Sequence, residues 1–334
     1  MKKNTEIKKV VFVGDNHIDH ITPANRNDNY MLATLNKLKE CLKISEELKV
    51  DAIVFLGDIF ESREVGPAAR NGALEILKCK DNGDDWPFVK YVVVGNHDIQ
   101  SSFPLEQSSL GTLVSAGVLE KANYAPGLDI AFAHYTPDLD HRISNGFLTT
   151  QPALIWACHA SISTVESRHG HVILFEEIPL HPNTFAVISG HIHHPMEMKR
   201  SDGKIFVNPG TIGRRSAVKD NFDRDLKIYY IEYDSEGTIH NQEYIILETA
   251  EHSSKVFKMD EIEAKKEGKK EVTEFIKQVA SLPSTAWSHS GLEDKLTTLR
   301  DTAKLQNIDE EIIDLAVHAV RFVNDPSNDK NAEL

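Results

Sequence analysis

Cysteine is scarce in this chain. Its 334 residues carry three, Cys41, Cys79 and Cys158, widely spaced and without a C-x-x-C pair. So few and so scattered a set builds neither a disulfide framework nor a thiolate zinc site, and it suits a reducing, cytoplasmic compartment. Long apolar runs are also missing. The early run from residue 10 to residue 13 falls far short of a signal-peptide core or of the ~20 residues a membrane span needs, so neither is expected. Positive charge is in deficit: 37 Lys and Arg against 51 Asp and Glu leave a formal net charge of −14, a poor basis for non-specific attraction to nucleic acid. What is present is a globular composition, 40% hydrophobic and 26% charged, on a chain long enough for one large α/β domain with an appendage. Histidine is the unusual component, with 16 residues whose positions carry the argument that follows.

Short β-rich runs alternate with helical stretches from residue 8 to about residue 250. Strands are predicted at 9–13, 52–56, 91–94, 129–133, 154–157 and 185–188, and helices at 30–48 and 68–78. Asp202-Gly203 between two β-rich runs predicts a hairpin, 196–200 with 204–208. A second hairpin joins 227–233 to 243–247, turning near Gly237. The alternation implies a layered α/β fold with helices on both faces, completed by a second sheet or an antiparallel extension. The character changes near Glu251, where glycine becomes rare. The reading is therefore one domain over 1–250 and a mostly helical region over 251–334, with helices at 272–282 and 292–323 broken around Pro283.

Polar residues with ligand potential follow each apolar run: Asp15-Asn16-His17, Asp58, Asn96-His97-Asp98, His159, and His191-Ile192-His193. Sites in α/β sheets lie at the carboxyl ends of strands, so neighbouring strands would bring these residues into one crevice. Gly14, Gly57, Gly95 and Gly190 precede the polar residues and are expected to let the backbone turn sharply there. Carboxylates crowded in this way repel one another unless cations intervene. Oxygen and imidazole donors without thiolate suit two divalent ions, Mn²⁺ first, with Fe, Zn²⁺ or Mg²⁺ as alternatives. Such a pair, about 3.5–4 Å apart and sharing a carboxylate, would use the whole set.

The blocks D-x-H, G-D, G-N-H-D, a lone H and G-H-x-H, in that order over roughly residues 8–215, resemble the calcineurin-like metallophosphoesterases. The resemblance implies a four-layer α/β/β/α sandwich, two central sheets flanked by helices, and metal-dependent hydrolysis of phosphoesters. It implies Asp15, His17 and His193 as ligands of one metal, Asn96, His159 and His191 as ligands of the other, and Asp58 as the bridge. It makes His97 the catalytic residue at the phosphoryl group or leaving oxygen, with Asp98 orienting His97 through a hydrogen bond.

The run Gly57-Asp58-Ile59-Phe60-Glu61 resembles the variant in the SbcD-type DNA repair and recombination nuclease subunits and their phage-sized relatives. That implies a DNA exonuclease or endonuclease in a bacterial or phage-infected cytoplasm, partnered through its C-terminal region by an SMC-like ATPase, with a homodimer as a further expectation. The alternative is a small-molecule nucleotide phosphodiesterase or phosphatase. Asn208, in the turn Asn208-Pro209-Gly210-Thr211, and Arg214, Arg215 and His194 are candidate substrate contacts, while His20 and His134 read as structural histidines.

Overall fold

The computed structural model describes residues 6–99, 103–167, 171–217, 219–222 and 224–264, together with Leu296, Thr297, Arg300, Asp301, Asp314 and Val317. The chain divides into two compact units, residues 1–257 and 258–334. The strands are β1 (Lys8–Val13), β2 (Ala52–Phe55), β3 (Val89–Val92), β4 (Tyr124–Ala125), β5 (Ile130–Ala133), β6 (Ile155–His159), β7 (Ile162–Ser163), β8 (Ile173–Leu174), β9 (Ala186–Gly190), β10 (Met196–Lys199), β11 (Ile205–Asn208), β12 (Lys227–Tyr233) and β13 (Ile239–Ile246). The helices are α1 (Tyr30–Glu47), α2 (Pro67–Lys78), α3 (Ser109–Ser115), α4 (Leu139–Ser144), α5 (Lys219–Phe222) and α6 (Ser253–Val256).

Two sheets form the core. One runs β13-β12-β1-β2-β3 and the other β10-β11-β9-β6-β5-β4, while β7 and β8 make a separate short pair. The centre of each sheet is parallel, and the hairpins at 196–208 and 227–246 add antiparallel edges. Alternation along the strands explains why there are two sheets. In β1, Val11 and Val13 pack toward α1 and α2, whereas Val10 and Phe12 meet β6 and β9 residues such as Ile155 and Ile188. In β6, Ile155 and Ala157 join that inner layer, while Trp156 and Cys158 pack on the other side with Leu139 and Ile143 of α4. Each central strand is apolar on both faces because each sheet is covered twice. The result is the expected four-layer sandwich with helices outside.

Local signals set the helix starts. The Asn29 side chain accepts a hydrogen bond from the Leu32 N–H at 3.0 Å and caps α1. Pro67 opens α2, where its missing N–H costs nothing. The third strand differs from the sequence reading: it is Val89–Val92, not 91–94. Lys90 interrupts the apolar run, so hydrophobicity alone places the strand too late. The segment α6–Phe257 packs within the first unit, where Phe257 bridges to Arg26 and Asn27 N–H donates to the Val256 carbonyl at 3.0 Å. In the second unit, residues 259–264 are helical. The expected tail helix at 272–282 and the break around Pro283 lie outside the described residues. Within 292–323 the six described residues are helical.

Candidate metal centre and active site

The carboxyl ends of β1, β2, β3, β6 and β9 meet where the two sheets face each other. The site is a seam between sheets rather than the rim of one sheet. Three of the expected ligands, His17, Asp58 and His191, hold left-handed backbone conformations, with φ of 50°, 48° and 85°. Such conformations in non-glycine residues are strained and persist only where the surroundings impose them. Among the glycines expected to turn the chain, only Gly57 has positive φ, at 105°. Gly95 is required for closeness instead: a Cβ there would sit 2.1 Å from Asp58 Oδ1.

The expected ligands gather into clusters. Donor atoms of Asp15, His17 and His193 lie within 4.8 Å of one another, as do those of Asp58, His159 and His191. Asn96 Oδ1 joins the second cluster, 2.9 Å from both His159 Nε2 and His191 Nδ1. Asp58 Oδ2 lies between the clusters, 3.9 Å from His17 Nε2 and 3.3 Å from His159 Nε2. The Nε2 atoms of His17 and His193 approach to 2.9 Å. Imidazole nitrogens converging on one another and on carboxylate oxygens are the donor set that divalent cations satisfy, so the residues fit two metals.

The electrostatics agree. Burial opposes charge on Asp58, but the His159 ring beside it, then His17 and the His97 N–H, hold its carboxyl well below the usual range. Burial likewise opposes charge on His159, yet Asp58 and then Asp15 raise it to about 9. At His193 burial prevails over Asp15 and lowers the imidazole to about 4. Against burial, the neighbouring carboxylates thus raise His17 and His159, whereas burial holds His191 and His193 low.

His97 stands over this centre, its ring edge-on to His17 with centroids 4.9 Å apart. Its backbone N–H donates to Asp58 Oδ1 at 2.9 Å, and its Nδ1 lies 2.6 Å from the Glu61 carbonyl oxygen. A carbonyl can only accept, so Nδ1 carries the proton and Nε2 is left for substrate.

Asp98 departs from its expected role. Its carboxylate accepts backbone N–H bonds from Asp58 and Gly95, both at 2.9 Å, and a longer one from Phe60 at 3.4 Å. It braces the turn that carries Asp58, and Glu61 orients His97. Burial, and then the neighbouring Asp58 charge, push Asp98 up to about 7.

A cavity of ≈390 Å³ opens over His17, His97 and His193 and is also lined by Tyr30, Glu61 and Arg215. Arg215 is the candidate substrate contact that reaches it, held by Asp19 at 3.1 Å and Glu61 at 3.0 Å. Arg214 does not: it is buried beneath the loop and donates to the Asn221 carbonyl. Asn208 is fully buried and spends its amide on the Ile192 carbonyl and the Gly210 N–H, which shapes the turn and leaves nothing for substrate. His194 is exposed and outside the cavity lining. His134 is structural as expected, accepting from Val94 N–H and donating to the Ala122 carbonyl. His20 Nδ1 accepts from Gly66 N–H.

Three supporting residues escaped the sequence reading. Glu61 Oε2 lies 3.0 Å from His17 Nδ1, on the side of the ring away from His193, where a carboxylate can orient a candidate metal ligand. Tyr30 donates to the His17 carbonyl at 3.0 Å. Arg224 donates to the carbonyls of His193, Thr211 and Gly213 and ties down the loop beside the ligands. Glu61 alone carried a signal, lying three residues after Asp58 in the same block.

The sequence profile of the calcineurin-like phosphoesterase superfamily domain matches residues 9–223. No curated protein matches the chain. Similar solved structures include an archaeal phosphodiesterase at 13% identity, covering 72% of this chain and 99% of that one with a TM-score of 0.37. A dimetal phosphatase from Danio rerio is 11% identical, with coverage of 72% and 98% and a TM-score of 0.38. The phosphoesterase Yfce from E. coli is 16% identical, with coverage of 71% and 99% and a TM-score of 0.35. Among the described residues, no helix is long and apolar enough to cross a membrane.

Proposed function

The chain belongs to the calcineurin-like phosphoesterase superfamily and is a metal-dependent phosphoester hydrolase, and we propose that its substrate is a phosphodiester of DNA, cleaved with two divalent cations at the seam between the sheets. The observation that carries the two-metal reading is the position of Asp58, which belongs both to the group with His17 and His97 and to the group with His159 and His191. Asp15, His17 and His193 would hold one cation, Asn96, His159 and His191 the other, and Asp58 both. The nitrogen and oxygen donor set suits Mn²⁺.

When bound, the cations lower the pKa of water and neutralise the non-bridging phosphoryl oxygens. The chain's own residues supply the rest. His97, fixed by the Glu61 carbonyl through Nδ1–H, presents Nε2 to the departing oxygen; with both ring nitrogens protonated it gives the Nε2 proton to that oxygen and is left as the neutral Nδ1–H ring. Arg215, aimed by Asp19 and Glu61, pairs with a phosphate oxygen and holds the ester in line.

The DNA reading is supported by the run Gly57–Glu61, and it assigns residues 251–334 to capping or to binding an SMC-like ATPase. A second reading, a nucleotide phosphodiesterase or phosphatase, is favoured by the cavity lining, in which Arg215 is the one lysine or arginine among the described residues, and by the net charge of −14.

The deciding experiment incubates the full chain and Mn²⁺ with end-labelled double-stranded DNA and, in parallel, with bis-p-nitrophenyl phosphate. His97→Ala should keep its metal and lose both activities, and Asp58→Asn should lose metal as well. Cleavage of the small diester alone would transfer the assignment to the nucleotide reading. Loss of metal in the His97 variant would overturn the role given to His97.

A further inference from the structure

Arg26, Lys37 and Arg214 are packed together on the far side of the loop from the catalytic cavity, only 4%, 4% and 5% exposed. They come from the segment before α1, from α1 itself and from the loop after β11. With Asp28, Leu226 and Val256 they line a cavity of ≈20 Å³. Arg26 is well partnered: Nε and Nη2 donate to Asp28 at 2.7 and 2.6 Å, and Nη1 donates to the Arg214 carbonyl. The other two are not. The single bond of Lys37 Nζ goes to the Ala33 carbonyl of its own helix at 3.2 Å. Arg214 Nη1 donates to the Asn221 carbonyl at 2.5 Å, but its buried Nε has no acceptor among the described residues.

Buried charges are normally paired, and a buried ammonium with one neutral acceptor is costly. Asp28 neutralises Arg26, and Asp225 is the acidic group that acts on Arg214. Glu251 borders the cavity but is exposed and paired with Lys255 at 2.9 Å. Among the described residues these three cations face two carboxylates, Asp28 and Asp225, and Asp28, which also acts on Lys37, is bonded to Arg26. Burial, and then Arg26, lower the Lys37 ammonium to about 8, so it stays mostly protonated at neutral pH. The cavity has room for one water-sized species, too little for phosphate or sulfate.

We propose that this cavity binds one small monovalent anion, chloride in the cell, between Lys37 and Arg214. The anion accepts from the unpartnered Arg214 Nε–H and from the N–H groups of Lys37 not given to Ala33, and links α1 to the segment that carries Arg215 into the catalytic cavity and Arg224 under the loop that holds His193. The site stands on its own residues and does not depend on the substrate reading above.

The test is thermal unfolding of the full chain in sodium chloride and in sodium gluconate at equal ionic strength. Chloride should raise Tm along a saturating curve, by about 5 °C when it exceeds its Kd a hundredfold. Bromide should replace chloride, and Lys37→Met should abolish the dependence whatever its own Tm. Crystals of the unmodified protein grown in bromide should show an anomalous peak between Lys37 and Arg214. Equal Tm in chloride and gluconate, a Lys37→Met variant that keeps the chloride response, or a cavity holding only water would each overturn the proposal.

Discussion

Replacing Asp98 with alanine is expected to damage the metal centre through the backbone, without removing a ligand or a contact to His97. The Asp98 carboxylate is buried and accepts two good N–H bonds, from Asp58 and Gly95 at 2.9 Å, and a weaker third from Phe60 at 3.4 Å. Asp98, pushed up to about 7, is only partly charged at neutral pH; each buried donor that alanine leaves unsatisfied costs about 1–3 kcal/mol, so two good bonds and a weak one come to about 3–5 kcal/mol. For a unit of this size that is about 10 °C in Tm. Both 2.9 Å bonds end on Oδ2, so Asp98→Asn with its oxygen there keeps them and should lose only the weak Phe60 bond, about 1 kcal/mol. Because the Asp58 N–H is one of the donors that alanine releases, Mn²⁺ occupancy should fall along with Tm. Thermal melts and metal content by mass spectrometry, measured on both variants, give the answer. An alanine variant that keeps its metal and its Tm while losing turnover would refute this reasoning and restore Asp98 as the group that orients His97.

Two further outcomes are expected. Arg215→Ala should lower kcat/KM for diesters about 100-fold and Arg215→Lys should recover only part, because the paired contacts to Asp19 and Glu61 use the fork of a guanidinium; an alanine variant within twofold of the parent in steady-state kinetics would remove Arg215 from the site. His134 is lowered to about 4, first by burial and then by Lys121, against the pull of the Ala122 carbonyl. Its folded-state value is below the unfolded one of about 6.5, so its contribution is complete above pH 6.5 and is lost as pH falls toward 4. That loss is about 2–3 kcal/mol and should shrink in His134→Gln when urea unfolding is compared across that range; an unchanged pH dependence would show that His134 does not titrate in this way.

The gathering of the candidate ligands was legible because each follows an apolar run that reads as a buried strand, and a strand delivers whatever follows it to one end of its sheet. The sharing of those strands between two sheets was not legible from spacing alone. The pairing of β1 with β12 joins Val10 to Ile231 across more than half the chain, and nothing local to either segment announces it. Residues acting through side-chain to backbone contacts were hidden for a related reason. Arg224 matters because carbonyls of two loops, His193 after β9 and Thr211 and Gly213 after β11, converge on it, and Asn208 is withdrawn from substrate because the turn it opens folds back over its own amide. Adjacency in a motif also misled: Asp98 follows His97 in the chain, but its side chain points back toward Asp58.

The same geometry explains why the blocks carry glycine at positions where the backbone does not need positive φ. The turns after β2 and β3 touch backbone to backbone, so that the Gly95 Cα faces the Asp58 amide directly. A Cβ at residue 95 would lie 2.4 Å from the Asp58 nitrogen and 2.1 Å from its Oδ1. Neither atom is the free end of a flexible side chain. Relieving the overlap means moving the turn that Asp98 braces and that holds Asp58 at φ 48°. The strain at Asp58, the glycine at 95 and the carboxylate at 98 are therefore one device: close approach lets Asp98 span both turns, and its bonds hold Asp58 in a conformation the residue would otherwise leave. The Asp58 carboxylate, common to two of the side-chain groups, is positioned by that device, so the arrangement can be lost through a single added methyl group that replaces none of those side chains.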